Sequence, residues 1–455
     1  MAEDPGRGVN PRAGVTVVGG GWAGLAAAVD LSRRGARVTL LEAARQLGGR
    51  ARRVRLGGME VDNGQHLLLG AYRDTLHLLN LLAPEDGPGL ERRRLDLQIW
   101  EHGRPALCLR APRLPAPLHA LAALAGARGL SPGERLRAAA VGLFVLWRRG
   151  HLESDTTVTR LLRRLRQSPR LVRRLWEPLC LATLNTPPRR ASARVFVRVL
   201  HDALLRVRGD SDLVLATRNL GALLPEPAVE YIEARGGHIH LGRRVTALQV
   251  EDGGIRGLAT GAGTVPARHV ILAVPPGPAA ELLAPHPPLA AIAARLNRLR
   301  SEPVCTVYLQ YPEGVRLEPP LLGLAGATAQ WIFDRRVNGQ PGLMAVVVSA
   351  GGPHMALDND ALVAQVRGEI ARVRPRWPEP VRARVIREKR ATFSCRAGVS
   401  KLRPGCATPV TGLWLAGDYT DTGYPATLEG AVRSGLAAAR HAAAALDLPD
   451  EEWFT

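Results

Sequence analysis

The 455-residue chain is predicted to be an α/β protein: one domain built on a central parallel sheet, interleaved with a second domain of α+β type. Three observations lead there. Residues 15–50 run strand, glycine turn, helix, strand. Near the far end, the apolar run 413–416 leads into Gly417-Asp418 and then a helix. Between these ends lie a mainly helical block and a block that mixes strands with a helix. The expected division is 1–110, 225–278 and 395–455 for the first domain, and 111–224 and 279–394 for the second.

The opening unit carries most of the information. Val15-Thr16-Val17-Val18 is a buried-strand pattern that breaks into Gly19-Gly20-Gly21-Trp22-Ala23-Gly24. Gly19, Gly21 and Gly24 fill the three glycine slots of a Rossmann-like dinucleotide fingerprint. The first allows a tight turn, the second lets the backbone approach a pyrophosphate, and the third lets helix and strand pack closely. The helix that begins at Trp22 and Ala23 offers free N–H groups and a positive dipole end to phosphate. A second strand, 37–41, ends at Glu42, 18 residues past Gly24. An acid there accepts from a ribose hydroxyl and disfavours a 2′-phosphate. In the following Leu47-Gly48-Gly49-Arg50, Gly49 permits a second close approach and Arg50 brings a positive charge.

Together with Gly417-Asp418 and the helix start Thr427-Leu428-Glu429-Gly430-Ala431, this set resembles the FAD-binding amine oxidase and phytoene desaturase superfamily. The resemblance implies an FAD-binding domain in an amine-oxidase-like fold, with FAD as cofactor. It implies that Gly19, Gly21, Trp22, Ala23, Gly24 and Glu42 hold the ADP half, and that backbone at Val245 meets the adenine. It further implies that Gly417 and Asp418 hold the pyrophosphate and ribityl chain, and that the helix from Leu428 aims its N-terminus at the flavin ring. The run Asp62-Asn63-Gly64-Gln65-His66 narrows the likeness. It is similar to the squalene-associated FAD-dependent desaturases, the hydroxysqualene dehydroxylases of hopanoid synthesis.

That branch implies an isoprenoid lipid substrate whose allylic hydroxyl leaves as water while hydride is delivered to carbon. Such a site needs an acid near the hydroxyl and a dry apolar tunnel. Asp62 and His66, in a polar knot beside Leu67-Leu68-Leu69, are the candidate catalytic residues, as proton donor or its orienting partner. The alternative is that both brace a loop or the flavin. An amine oxidase commonly places an aromatic residue just before the last helix; here Thr427 stands there, with Tyr424 three residues earlier. A carotenoid-type desaturase or an amine oxidase remains an alternative on this scaffold. So does a non-redox prenyl-binding protein, although the intact fingerprint argues against it. The chain has one full fingerprint, and residues 271–276 do not form a second. Electrons must therefore come from the substrate or from a separate, unidentified donor.

Composition bounds the rest. Hydrophobic residues make up 46% of the chain, ample for a core. The net charge is +20, carried almost wholly by arginine, since the lysines are Lys389 and Lys401. Such a surface attracts anionic lipid or nucleic acid. No basic tract is interleaved with aromatics and no nucleic-acid module is present, so the membrane is the better partner. The odd set of cysteines, Cys108, Cys180, Cys305, Cys395 and Cys406, has no metal-ligand spacing. No metal site is expected, and a reducing compartment fits.

The N-terminal residues are polar with no signal core, and the longest apolar run, 138–147, is shorter than the roughly 20 residues that span a bilayer. A cytoplasmic protein is expected, able to rest on the inner face of a bacterial membrane. Two Arg-rich helices flank Ser168: Val158, Leu161, Leu162 and Leu165 form one apolar face, and Leu171, Val172, Leu175 and Trp176 the other. They read either as surface helices packed on the domain or as a patch resting on anionic lipid. In the second mixed block, 304–311 and 345–349 read as strands and 359–374 as a helix. The acidic end, with Trp453 and Phe454, reads as a frayed terminus or a segment docking on the basic surface.

Overall fold

The computed structural model describes residues 14–449; the polar N-terminal stretch and the segment bearing Trp453 and Phe454 lie outside the described residues. At the centre is a five-stranded parallel sheet in the order His238–His240, Arg37–Leu41, Gly14–Val18, Val270–Leu272, Leu413–Leu415. The strands are short and apolar because helices cover them. Trp22–Arg33 and Leu428–Ala445 pack against each other on this sheet, with Pro225–Glu233 beside the first. Gly19 turns the chain out of the first strand with φ +106°, where an added Cβ would lie 2.6 Å from the Ala273 carbonyl oxygen. The α/β expectation therefore holds in its central part. The strand ends meet the helix starts along one edge of the sheet, and this edge positions the site.

The second large element is a seven-stranded sheet in the order Arg382–Phe393, Ser301–Gln310, Leu343–Ser349, Trp331–Asp334, Leu321–Ala325, Asp96–Glu101, Arg104–Arg110. Its strand alternation divides the side chains between two cores. Cys305, Val307 and Leu309 pack with Leu362, Val366 and Ile370 of the helix Asn359–Val373. Tyr308, Ala345 and Val347 face the other way, into the main core. The hairpin 96–110 departs from the expected division. That division puts residues up to 110 in the first domain, but Gly323, Leu324 and Ala325 pair in parallel with Ile99, Trp100 and Glu101. Backbone pairing across more than 200 residues of sequence decides its membership, and no local pattern reports that.

A helical layer fills 118–204. Its outermost long helix, Pro132–Trp147, starts at a capping box in which Ser131 and Glu134 bond reciprocally. The Arg-rich region is less regular than expected: Val172–Trp176 is π-helical, between Pro169–Leu171 and Glu177–Leu184. Pro178 has no N–H for the Arg174 carbonyl, so the turn there is free to widen. The wide turn lets adjacent Arg173 and Arg174 both reach Glu101, at 2.5 and 2.6 Å. The apolar faces of both helices lie in the core, with Val158, Leu161, Leu162, Leu171, Leu175 and Trp176 all buried. Of the two readings of these helices, packing on the domain is the one observed, since their apolar faces are not open to lipid.

Candidate active site

One cavity of about 1000 Å³ runs from the glycine turn to the seven-stranded sheet. Gly19, Gly21, Trp22 and Ala23 line it from the first strand–helix turn, and Glu42 from the end of the second strand. Gly49, Arg50, Val245, Gly417, Asp418 and Leu428 line it too. Gly24 stands behind this wall: its added Cβ would lie 1.9 Å from the Gly19 carbonyl oxygen. Residues spread over 400 positions are thus brought together around one cavity.

Several local bonds set the shape of the nucleotide end. The Gly20 and Ala44 amides donate to the two carboxylate oxygens of Glu42, at 2.6 and 2.7 Å. This holds the acid at the strand end. Trp22 Nε1 donates to the Ala51 carbonyl at 3.1 Å, tying the fingerprint helix to the second glycine loop. Arg50 forms a 2.7 Å ion pair with Asp418 across the cavity. The Gly417 amide donates to Ser434 of the last helix at 2.7 Å. Thr427 caps that helix, accepting from the Gly430 amide at 3.1 Å. Tyr424, three residues before Thr427, does not line the cavity and donates to Asp202 at 2.6 Å.

The polar knot 62–66 divides into a brace and a cavity wall. Asn63, Gly64, Gln65 and His66 line the cavity, whereas Asp62 does not. One Asp62 carboxylate oxygen accepts from the Leu220 amide at 2.8 Å, and the other pairs with Arg335 at 3.0 Å. Its own carbonyl accepts from the Tyr308 hydroxyl at 2.8 Å. The Asp62 carboxylate is thus engaged with Leu220 and Arg335 and does not line the cavity, an arrangement that suits the bracing alternative. Arg335, fully buried, donates also to Gln65 at 2.6 Å and Gln340 at 2.7 Å. It clamps the loop that carries His66. One of two adjacent arginines in a 3₁₀ turn, 273 residues from Asp62, gives no sequence signal for this role.

His66 faces the cavity with Nδ1 3.3 Å from the Gly64 carbonyl. That contact suits Nδ1–H as donor and leaves Nε2 as the free ring atom. Burial lowers its pKa below the ordinary value, against the opposing charge of Asp62. Tyr72 is a second polar group on the wall, and burial pushes its phenol well up, keeping it neutral. Apolar side chains line the cavity as well: Leu67, Leu181, Leu282, Val304, Val347 and Ile386. The strand Arg382–Phe393 supplies Ile386, Glu388, Ala391 and Thr392. Glu388 accepts from Asn63 at 3.4 Å, and Thr392 accepts from Asn185 at 2.9 Å. These wall residues were not among the sequence candidates.

Histidine burial has a measurable consequence. Burial is the first cause lowering the pKa of His66, His119, His269 and His354. Each then takes up its proton more readily in the unfolded chain. Stability from these groups is complete above about pH 6.5 and drains away as pH falls through the lowered folded values. Denaturant midpoints measured from pH 7.5 to 5 should fall steadily below about pH 6.5; a midpoint flat across that window would contradict it.

The family described as flavin containing amine oxidoreductase matches residues 22–443. Hydroxysqualene dehydroxylase of Rhodopseudomonas palustris is 34% identical over 93% of this chain and 97% of its own length. The enzyme of that name from Sinorhizobium fredii is 30% identical, again over 93% and 97%. Among solved structures, cyclohexylamine oxidase from Brevibacterium oxydans has a TM-score of 0.73 at 17% identity, covering 96% of this chain and 100% of that one. The last likeness is one of fold.

Proposed function

Since this chain belongs to the flavin-containing amine oxidoreductase family and is an FAD-dependent oxidoreductase, we propose that it reductively removes the hydroxyl of hydroxysqualene to give squalene. The observation that carries the reading is one cavity lined by the glycine turn and Glu42, by aliphatic residues such as Leu181, Val304, Val347 and Ile386, and by His66. Two relatives bearing the hydroxysqualene dehydroxylase name support it. So does Thr427, which gives no aromatic wall for an amine.

The cavity fits FAD. Gly19 and Gly21 leave room for a pyrophosphate at the Trp22–Arg33 helix start, Glu42 suits a ribose, and Val245 backs an adenine. Arg50, Gly417, Asp418 and Leu428 serve the remainder. Bound and reduced, FAD supplies hydride. The protein's share is to exclude water with the aliphatic wall and to manage one proton. The substrate carbon–oxygen bond breaks as the oxygen takes a proton and leaves as water, and the allylic carbon takes the hydride. His66 supplies that proton in its imidazolium form, with Nδ1–H anchored on Gly64 and Nε2–H directed to the hydroxyl.

Because burial keeps His66 neutral near pH 7, its active form grows as pH falls. Turnover should therefore rise below about pH 6.5 and level off past the lowered pKa. His66→Gln should keep the flavin, lose turnover by about 100-fold or more, and flatten that profile. Full activity in this variant would remove His66 from the reaction. The reaction itself is tested by anaerobic incubation of the reduced holoprotein with hydroxysqualene. Squalene by mass is the expected product. Unchanged substrate, or new conjugated double bonds in an added carotene, would overturn the assignment.

A further inference from the structure

We propose that the outer face of the helix Pro132–Trp147 is a docking surface for an anionic lipid bilayer. This helix is apolar on two opposite faces. Ala138, Val141 and Val145 form the buried stripe, in the main core. Leu136, Ala140, Leu143 and Trp147 form a second stripe at spacings of four, three and four residues. At 3.6 residues per turn these four fall within about 60° of one another. Leu136, Leu143 and Trp147 are 74%, 57% and 72% exposed. A helix packed on a soluble core normally gives that face to polar residues. Leu118 of the adjoining helix Leu118–Ala125 is 51% exposed as well.

The cations around the stripe select the occupant. Arg135 and Arg137 flank its start, and Arg148 and Arg149 its end. The Arg148 guanidinium stacks 4.6 Å over the Trp147 ring, while it also lies 3.6 Å from Glu153. The helix's one acid, Glu134, is buried in the capping box. An apolar stripe with a tryptophan and a rim of arginines is the pattern of a helix lying in a membrane interface. The rim is complementary to anionic headgroups, as is the chain's net charge of +20. A second copy of this chain is a poorer occupant, because a two-fold pairing of this face would set like arginines against each other. Among the described residues no helix is long and apolar enough to cross a membrane, so the contact is one of surface immersion.

The surface is also placed for use. Pro132–Trp147 rests on Ala193–Leu204, which packs on Glu177–Leu184, and Leu181, Ala182 and Thr183 of that helix line the cavity. Docking face and apolar chamber thus belong to one helical block. The role in substrate capture rests on the isoprenoid reading above; the surface itself does not.

The test is flotation of the holoprotein with phosphatidylcholine vesicles, with and without phosphatidylglycerol. Binding should need phosphatidylglycerol and weaken with salt. Leu143→Glu combined with Trp147→Glu should lower partitioning at least about tenfold, with flavin absorbance and unfolding midpoint unchanged. Arg160→Glu with Arg163→Glu, on a different exposed helix face, should change it much less. Wild-type partitioning in the first variant, no binding to anionic vesicles, or a dimer that the variant converts to monomer would each overturn the proposal. Turnover of detergent-dispersed hydroxysqualene should be the same in wild type and the first variant. Failed docking with intact turnover therefore leaves the reaction standing, and the reverse result leaves the surface standing.

Discussion

Replacing Gly24 with alanine is expected to give a protein that purifies without its flavin. The added methyl would sit 1.9 Å from the Gly19 carbonyl oxygen and 3.2 Å from the Ala273 side chain. The first of these atoms is backbone and cannot swing aside. Relief must come from moving the Gly19 turn or the start of the helix, and both shape the cavity wall. Overpacking of this kind costs about 3 kcal/mol, which weakens FAD binding by roughly 100-fold if it falls on the bound state. Absorbance near about 450 nm, a property of oxidised flavins, and titration of the apoprotein with FAD would measure it. Gly133→Ala is the control, since a Cβ there meets nothing within 4 Å. A Gly24→Ala protein with full flavin content would mean that the helix does not set this wall.

Asp62→Asn is expected to cost stability and to spare the chemistry. Arg335 is fully buried, and Asp62 is its acidic partner at 3.0 Å. Removing one partner of a buried pair leaves a charge without compensation and costs about 3–5 kcal/mol. The retained bonds from Arg335 to Gln65 and Gln340 hold the loss to the lower end. The unfolding midpoint should fall sharply, while the protein that remains folded keeps its flavin and turns over within a few-fold of wild type. Removing both charges, as Asp62→Leu with Arg335→Met, should recover part of the loss, because an apolar pair has no ion to desolvate, while the Leu220 amide and the Gln65 and Gln340 side chains lose these partners. An Asp62→Asn protein of normal stability but no turnover would return Asp62 to the reaction.

The contrast between Asp62 and His66 shows where sequence reading stops. Both stand in the same five-residue knot, and composition gives no reason to separate them. Strand pairing fixes the end of Met59–Asp62, so the Asp62 side chain points toward Arg335, while the chain has already turned at His66. The Arg382–Phe393 strand was hidden for a related reason. Arginine, lysine and glutamate occupy both of its faces, so the two-residue alternation that marks a half-buried strand is masked. It nevertheless pairs with Ser301–Gln310 at the edge of the seven-stranded sheet and delivers Ile386 and Glu388 to the cavity. The outer face of Pro132–Trp147 is similar. From Ala138 to Trp147 its sequence is apolar, which signals burial unless the neighbours are known.

The nucleotide half was legible because its requirements are local. A tight turn, a close backbone approach, a helix start and an acid at a strand end each demand a residue type at a set spacing. Gly19, Gly21, Gly24 and Glu42 meet those demands within one βαβ unit. The substrate half makes no such demand. Its wall comes from separate helices and strands, each of which needs only to be apolar or to pair. Which side chains face the chamber, which acid is spent on Arg335 and which apolar stripe is left outside were decided by long-range packing, because burial and hydrogen bonding are properties of neighbours that the chain acquires only on folding.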